Sequence, residues 1–108
     1  MHIAKMAMFT AGIITATSAA LAAGQTKPAY QGRTPQDVYR VTCGYCHGHN
    51  VGPLILGRKL PAATIQTMVR AGRGAMPAFR PTEITNAELA ALGLWIEKSK
   101  ANAKEHGQ

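Results

Sequence analysis

VTCGYCHGHN, residues 41–50, holds both cysteines of this 108-residue chain, with a histidine directly behind the second. Four chemistries use such a cluster. A thioredoxin-type dithiol normally sits in a βαβ setting, and the sequence around Cys43 and Cys46 shows no strand pattern to supply one. A structural zinc site takes four ligands, and beyond Cys43, Cys46 and His47 only His49 and His106 remain as extras. A disulfide spanning two residues closes a very small loop and stabilises little by loop entropy. The fourth reading is C-x-x-C-H, the attachment signature of c-type haem.

Helical geometry favours the fourth reading. Positions i, i+3 and i+4 share one face of a helix, so Cys43 and Cys46 can offer both sulfurs to one porphyrin while His47 reaches its iron. A second axial ligand must come from elsewhere, and Met or His there sets the potential and decides whether small ligands can bind. Met76, in Arg73-Gly-Ala-Met-Pro-Ala-Phe79, lies in an irregular segment beside Pro77, whose ring fixes the backbone. Met68 falls at core spacing with Ile65 and Val69 and reads as packing. His49 is too near His47 in sequence to cross the ring. An axial imidazole also passes its other N–H to an acceptor, and the Pro53 carbonyl, on the turn Gly52-Pro53, is placed for it. Leu54, Leu56, Leu60, Phe79 and Trp95 are expected as walls of the pocket.

Outward from this stretch the chain reads as a small all-α domain. Thr34-Pro35-Gln36-Asp37 is a helix start, with Thr34 as N-cap, Pro35 in the first turn and Asp37 at the positive end of the helix dipole. Val38, Tyr39 and Thr42 lead from it into the cysteine pair. Residues 48–57 carry Pro53 and several glycines and read as a loop. Periodicity predicts a helix over Ala62–Ala71 with Gly72 past its end. Thr85-Asn86-Ala87-Glu88 is a capping box that opens a last helix with a stripe of Leu89, Leu92, Trp95 and Ile96.

Met1–Lys5 is basic, residues 6–22 are apolar and small, and Ala20-Leu-Ala22-Ala-Gly24 resembles a cleavage site. Together they predict a secretory signal peptide over residues 1–23. Several threonines keep the stretch short of a membrane span. Residues 24–33 are expected as a flexible leader, 34–100 as the domain, and 101–108 as a frayed polar tail. Loss of Lys5 with the signal leaves eleven Lys and Arg against five acids, a net charge of +6. Export and the scattered placement of these residues argue against nucleic acid and for an acidic protein partner. A mature chain of about 85 residues has a marginal core, and a covalently attached haem would staple it.

Cys43-Gly-Tyr-Cys-His47, Val51-Gly-Pro-Leu54, Gly57-Arg-Lys-Leu-Pro61 and Arg70-Ala-Gly-Arg-Gly-Ala-Met-Pro-Ala-Phe79 together resemble the small class I cytochromes c, in particular the cytochrome subunit of the flavocytochrome p-cresol methylhydroxylase and related flavoprotein-linked cytochromes. The resemblance runs from about Thr34 to Lys98. It implies three main helices and loops wrapped around one covalent haem c. Cys43 and Cys46 would form the thioethers, His47 and Met76 would be the axial ligands, and the Pro53 carbonyl would receive the histidine N–H. It further implies a periplasmic one-electron carrier, not itself an enzyme. Electrons would come from a dehydrogenase, such as a flavoprotein, and pass to an oxidase or cytochrome of the respiratory chain, with the haem edge near Ala75-Met-Pro77 facing the partner. Two other readings stay open on sequence: a haem enzyme or gas sensor with a displaceable sixth ligand, and an exported dithiol or zinc module without haem.

Overall fold

A computed structural model of the chain describes residues 32–108, together with Gly12. The expected signal peptide and almost all of the leader lie outside the described residues. Thr34 caps the first helix through a hydrogen bond from the Asp37 amide to its hydroxyl, 3.2 Å. α1 (Pro35–Val38) runs into a π-helical turn (Tyr39–Cys43) and then α2 (Gly44–His47). The backbone keeps right-handed helical angles through Val38, Cys43 and Gly44, so the three segments form one continuous helical body. The extra residue of a π turn shifts the face that follows it, a feature that apolar spacing alone does not reveal.

α3 (Ala62–Ala71) ends at Gly72, and α4 (Asn86–Lys98) begins at the expected capping box, with Thr85 and Glu88 bonding each other's backbone amides. α4 packs against both α3 and α1. Among the described residues there is no strand, and two isolated bridges are the only β pairings. The core is Val38, Tyr39, Leu56, Ile65, Val69, Ile84, Leu89, Leu92 and Ile96. Trp95, expected in the buried stripe, is only partly covered and stacks on Tyr39 at 5.4 Å with a 53° tilt. No described helix is long and apolar enough to cross a membrane.

Both ends of the described chain are held more firmly than their composition suggests. Arg33, assigned from sequence to the flexible leader, donates from its amide and guanidinium to the buried Glu88 carboxylate at 3.0 Å and to the Glu83 carbonyl at 2.7 Å. The tail is not frayed. Asn50 N–H donates to the His106 carbonyl (2.7 Å), His106 N–H to Gly48 (3.0 Å) and Gln108 N–H to Gly52 (3.1 Å). Backbone pairing of this kind needs no apolar side chain, so a polar composition did not forecast it.

Candidate functional site

One cavity of about 680 Å³ lies between the first helical body, α3, α4 and the loops over residues 48–61 and 72–85. Cys43, Cys46, His47, Pro53 and Met76 all line it. Its walls are otherwise mostly apolar, with Ile55, Leu60, Ile65, Val69, Phe79, Ile84, Leu92 and Ile96 among them. The charged side chains that reach it are Arg58 and Arg73, with no carboxylate. Sequence spacing did not single out either arginine, because each sits in a loop where no periodicity assigns a direction.

His47 Nδ1 lies 2.7 Å from the Pro53 carbonyl oxygen. A carbonyl can only accept, so Nδ1 carries the proton and the neutral ring keeps its lone pair on Nε2. The two thiols are not joined to each other. Burial pushes the Cys43 thiol up to about 11. Cys46 is exposed at the rim.

Met76 arrives on a tight turn in which Arg73 and Met76 exchange backbone hydrogen bonds, both 3.0 Å. The turn is fixed to α3 by the Phe79 amide on the Val69 carbonyl, 2.8 Å. Arg70 then bridges to the Phe79 carbonyl (3.1 Å) and to Asn86 at the start of α4 (2.7 Å). Gly72, with φ 68° and ψ 170°, occupies a region that only glycine enters without strain. A Cβ there would stand 2.8 Å from both the Met76 carbonyl oxygen and the Ala78 nitrogen.

Several wall assignments need correction. Leu60 and Phe79 line the cavity, but Leu54, Leu56 and Trp95 do not. Leu56 and Trp95 instead face a second hollow with Tyr39, His49 and Glu105, where Trp95 packs on the Tyr39 ring. Met68, read as plain packing, lines the main cavity as well. His49 donates its Nδ1 proton to the Gly44 carbonyl at 2.6 Å and stays out of the main cavity. Among the described residues no three His, Cys, Asp or Glu side chains form a group that could hold a metal ion.

The donor set fits a c-type haem. Two unlinked thiols, an imidazole with a free lone pair and a thioether share one apolar cavity whose charged groups are cationic, as a porphyrin bearing carboxylates would want. Comparison with known proteins agrees. Residues 31–96 match the family described as cytochrome c oxidase, cbb3-type, subunit III. The chain is 32% identical over 100 residues to the cytochrome c subunit of 4-cresol dehydrogenase (hydroxylating) from Pseudomonas putida, covering 91% of this chain and 88% of that one. A crystal structure of p-cresol methylhydroxylase with substrate bound superposes with TM-score 0.57 at 35% identity, covering 63% of this chain and 95% of the other. A second, at 2.5 Å resolution, gives TM-score 0.57 at 34% identity over 61% and 93%. These relationships make the cofactor covalent haem c and the role electron transfer, not catalysis by this chain itself. From its cysteine pair to its last helix, the chain belongs to the cytochrome c family.

Proposed function

We propose that Cys43 and Cys46 hold the haem as thioethers, that His47 and Met76 are its axial ligands, and that the chain is a periplasmic carrier serving a dehydrogenase. The supporting observation is the 2.7 Å bond from His47 to Pro53 inside the cavity that also holds both cysteines and Met76. When bound, the haem supplies a one-electron iron couple. The residues do the rest. Pro53 fixes the His47 tautomer so that Nε2 is the ligating atom. The turn at Arg73–Met76 fixes the thioether, so both ligands are positioned before any change of charge and little rearrangement accompanies it. The apolar walls keep water out, which raises the weight of each remaining dipole.

The donor is proposed as a dehydrogenase of the kind the Pseudomonas putida relative belongs to, a flavoprotein on the resemblance read from the motifs. The onward acceptor is proposed as an oxidase or cytochrome of the respiratory chain. Redox encounters are small in area and weak, and a chain with net charge +7 overall favours an acidic docking face. Association with such a partner slows as salt is added.

The test uses purified, exported protein. A pyridine haemochrome assay should return one haem per chain, and the oxidised protein should show the long-wavelength charge-transfer band of a thioether ligand. Met76→Ala should abolish the band, while Met68→Leu keeps it. A reduced wild type that binds carbon monoxide rapidly would instead indicate a sixth ligand that yields, as in a sensor or haem enzyme.

A further inference from the structure

Glu105–Gln108 forms a strap that lies outside the main cavity yet touches both peptide planes flanking Pro53. Gln108 N–H donates to the Gly52 carbonyl, 3.1 Å, which fixes the peptide plane entering Pro53. Gly107 lies against the plane leaving it, so close that a Cβ at 107 would stand 2.6 Å from the Leu54 nitrogen. That nitrogen belongs to the same peptide unit as the Pro53 carbonyl that receives the His47 proton. Further bonds set the strap's register: Asn50 N–H to His106 carbonyl at 2.7 Å, His106 N–H to Gly48 carbonyl at 3.0 Å, and the Gln108 side-chain amide to the Asn50 carbonyl at 2.7 Å. Its other end is anchored where Tyr39 donates to Glu105 at 2.9 Å. Residues 48–52 form no helix or strand; Gly48 N–H and the His49 ring hold their start to the Gly44 carbonyl (3.1 and 2.6 Å), Gly52 N–H holds their end to the Cys46 carbonyl (2.8 Å), and the strap contacts supply the long-range bonds.

We propose that the strap is the positioning element of the His47–Pro53 hydrogen bond, acting through the Gln108 amide and the close contact of Gly107 with Leu54. The proposal rests on the reading of His47 as an axial ligand. The direction and strength of a ligating histidine's second hydrogen bond set its basicity, and ligand basicity sets how well the oxidised metal is stabilised. Releasing the strap lets the Pro53 carbonyl tilt away, the imidazole becomes a poorer donor, and the reduction potential rises.

The experiment uses the haem-loaded chain in four forms: wild type, a chain stopping at Glu105, Gln108→Pro, and Glu88→Gln. Gln108→Pro removes the N–H on the Gly52 carbonyl and the side-chain amide on the Asn50 carbonyl while leaving the His106 backbone bonds in place, so it carries the test if the shortened chain does not fold. Glu88→Gln weakens the fold at a distance from the strap. Two quantities are read, the exchange rate of the His47 Nδ1 proton in the reduced protein by NMR and the reduction potential. Expected for Gln108→Pro is exchange faster by about fivefold or more, the factor one hydrogen bond typically carries, with a raised potential. Glu88→Gln should change neither. Wild-type values in both strap variants overturn the proposal, as does an equal change in Glu88→Gln. A wild-type His47 ring without the large shifts of an iron ligand overturns the ligand reading and the strap's role together, whereas a ligated His47 indifferent to the strap overturns the strap's role alone.

Discussion

The Tyr39 hydroxyl donates to the Glu105 carboxylate, 2.9 and 3.0 Å from its two oxygens, and so ties the π turn of the first helix to residues 66 positions further along. Burial first, and then the carboxylate, push the phenol well above its ordinary value, so it remains a donor at any pH the fold tolerates. Tyr39→Phe keeps the ring against Trp95 and loses only this bond. It should lower stability by about 1–2 kcal/mol, or roughly 4–16 °C in Tm for a domain of this size, read by thermal melting. A melt unchanged within about 1 °C would show the bond to be replaced by water.

Arg33 and Glu88 give the fold an acid-sensitive clasp. The Arg33 side-chain hydrogen bonds lead in holding the Glu88 carboxyl down to about 2 from an ordinary 4.5. Since the folded value is the lower one, the stabilisation is complete above about 4.5 and is lost as pH falls from there toward 2. Urea melts at a series of pH values should show stability falling across that window in the wild type and falling less steeply in Glu88→Gln. At neutral pH the variant should already be weaker by about 1–3 kcal/mol, since it loses a charged partner for Arg33 and disturbs the capping box.

Gly72 controls where Met76 sits. Gly72→Ala would force a Cβ against the Met76 carbonyl at 2.8 Å, in a backbone region closed to alanine. Strain of about 1–3 kcal/mol should be relieved by displacing the turn Arg73–Met76. Loss of the thioether band together with a lower Tm is the expected result. A lower Tm with the band intact would mean the strain is absorbed elsewhere.

Met76→His replaces a thioether with an imidazole. If Met76 ligates the iron, the potential should fall, because a methionine ligand favours the reduced state more than a second histidine does. Met68→His should leave the potential and the band unchanged. The opposite pattern would reassign the ligand to Met68, the other methionine on the cavity.

Much of the site was legible because its signals are local. A five-residue motif on one helix turn places Cys43, Cys46 and His47 together, and a proline turn six residues beyond His47 brings its carbonyl within reach. The wall residues were less legible. Leu54, Leu56 and Trp95 are apolar and lie near the motif in sequence or in the last helix, but which cavity an apolar residue faces depends on how the loop after the motif and α4 pack on the first helical body, which no periodicity records. Arg58 and Arg73 were missed for a similar reason, since loop residues have no repeating face.

Sequence alone determined the three helical bodies, the capping at Thr34 and Thr85, and the donor types a haem would need. Apolar spacing, cap chemistry and covalent motifs all act over a few residues, so a linear reading suffices for them. Tertiary structure decided the rest: Arg33 on Glu88, Glu105 on Tyr39, and Gln108 on the peptide that precedes Pro53. Those contacts join groups 55 to 66 positions apart through polar side chains and backbone amides. Such groups satisfy water equally well in the unfolded chain, and only the packed fold brings each one to its partner.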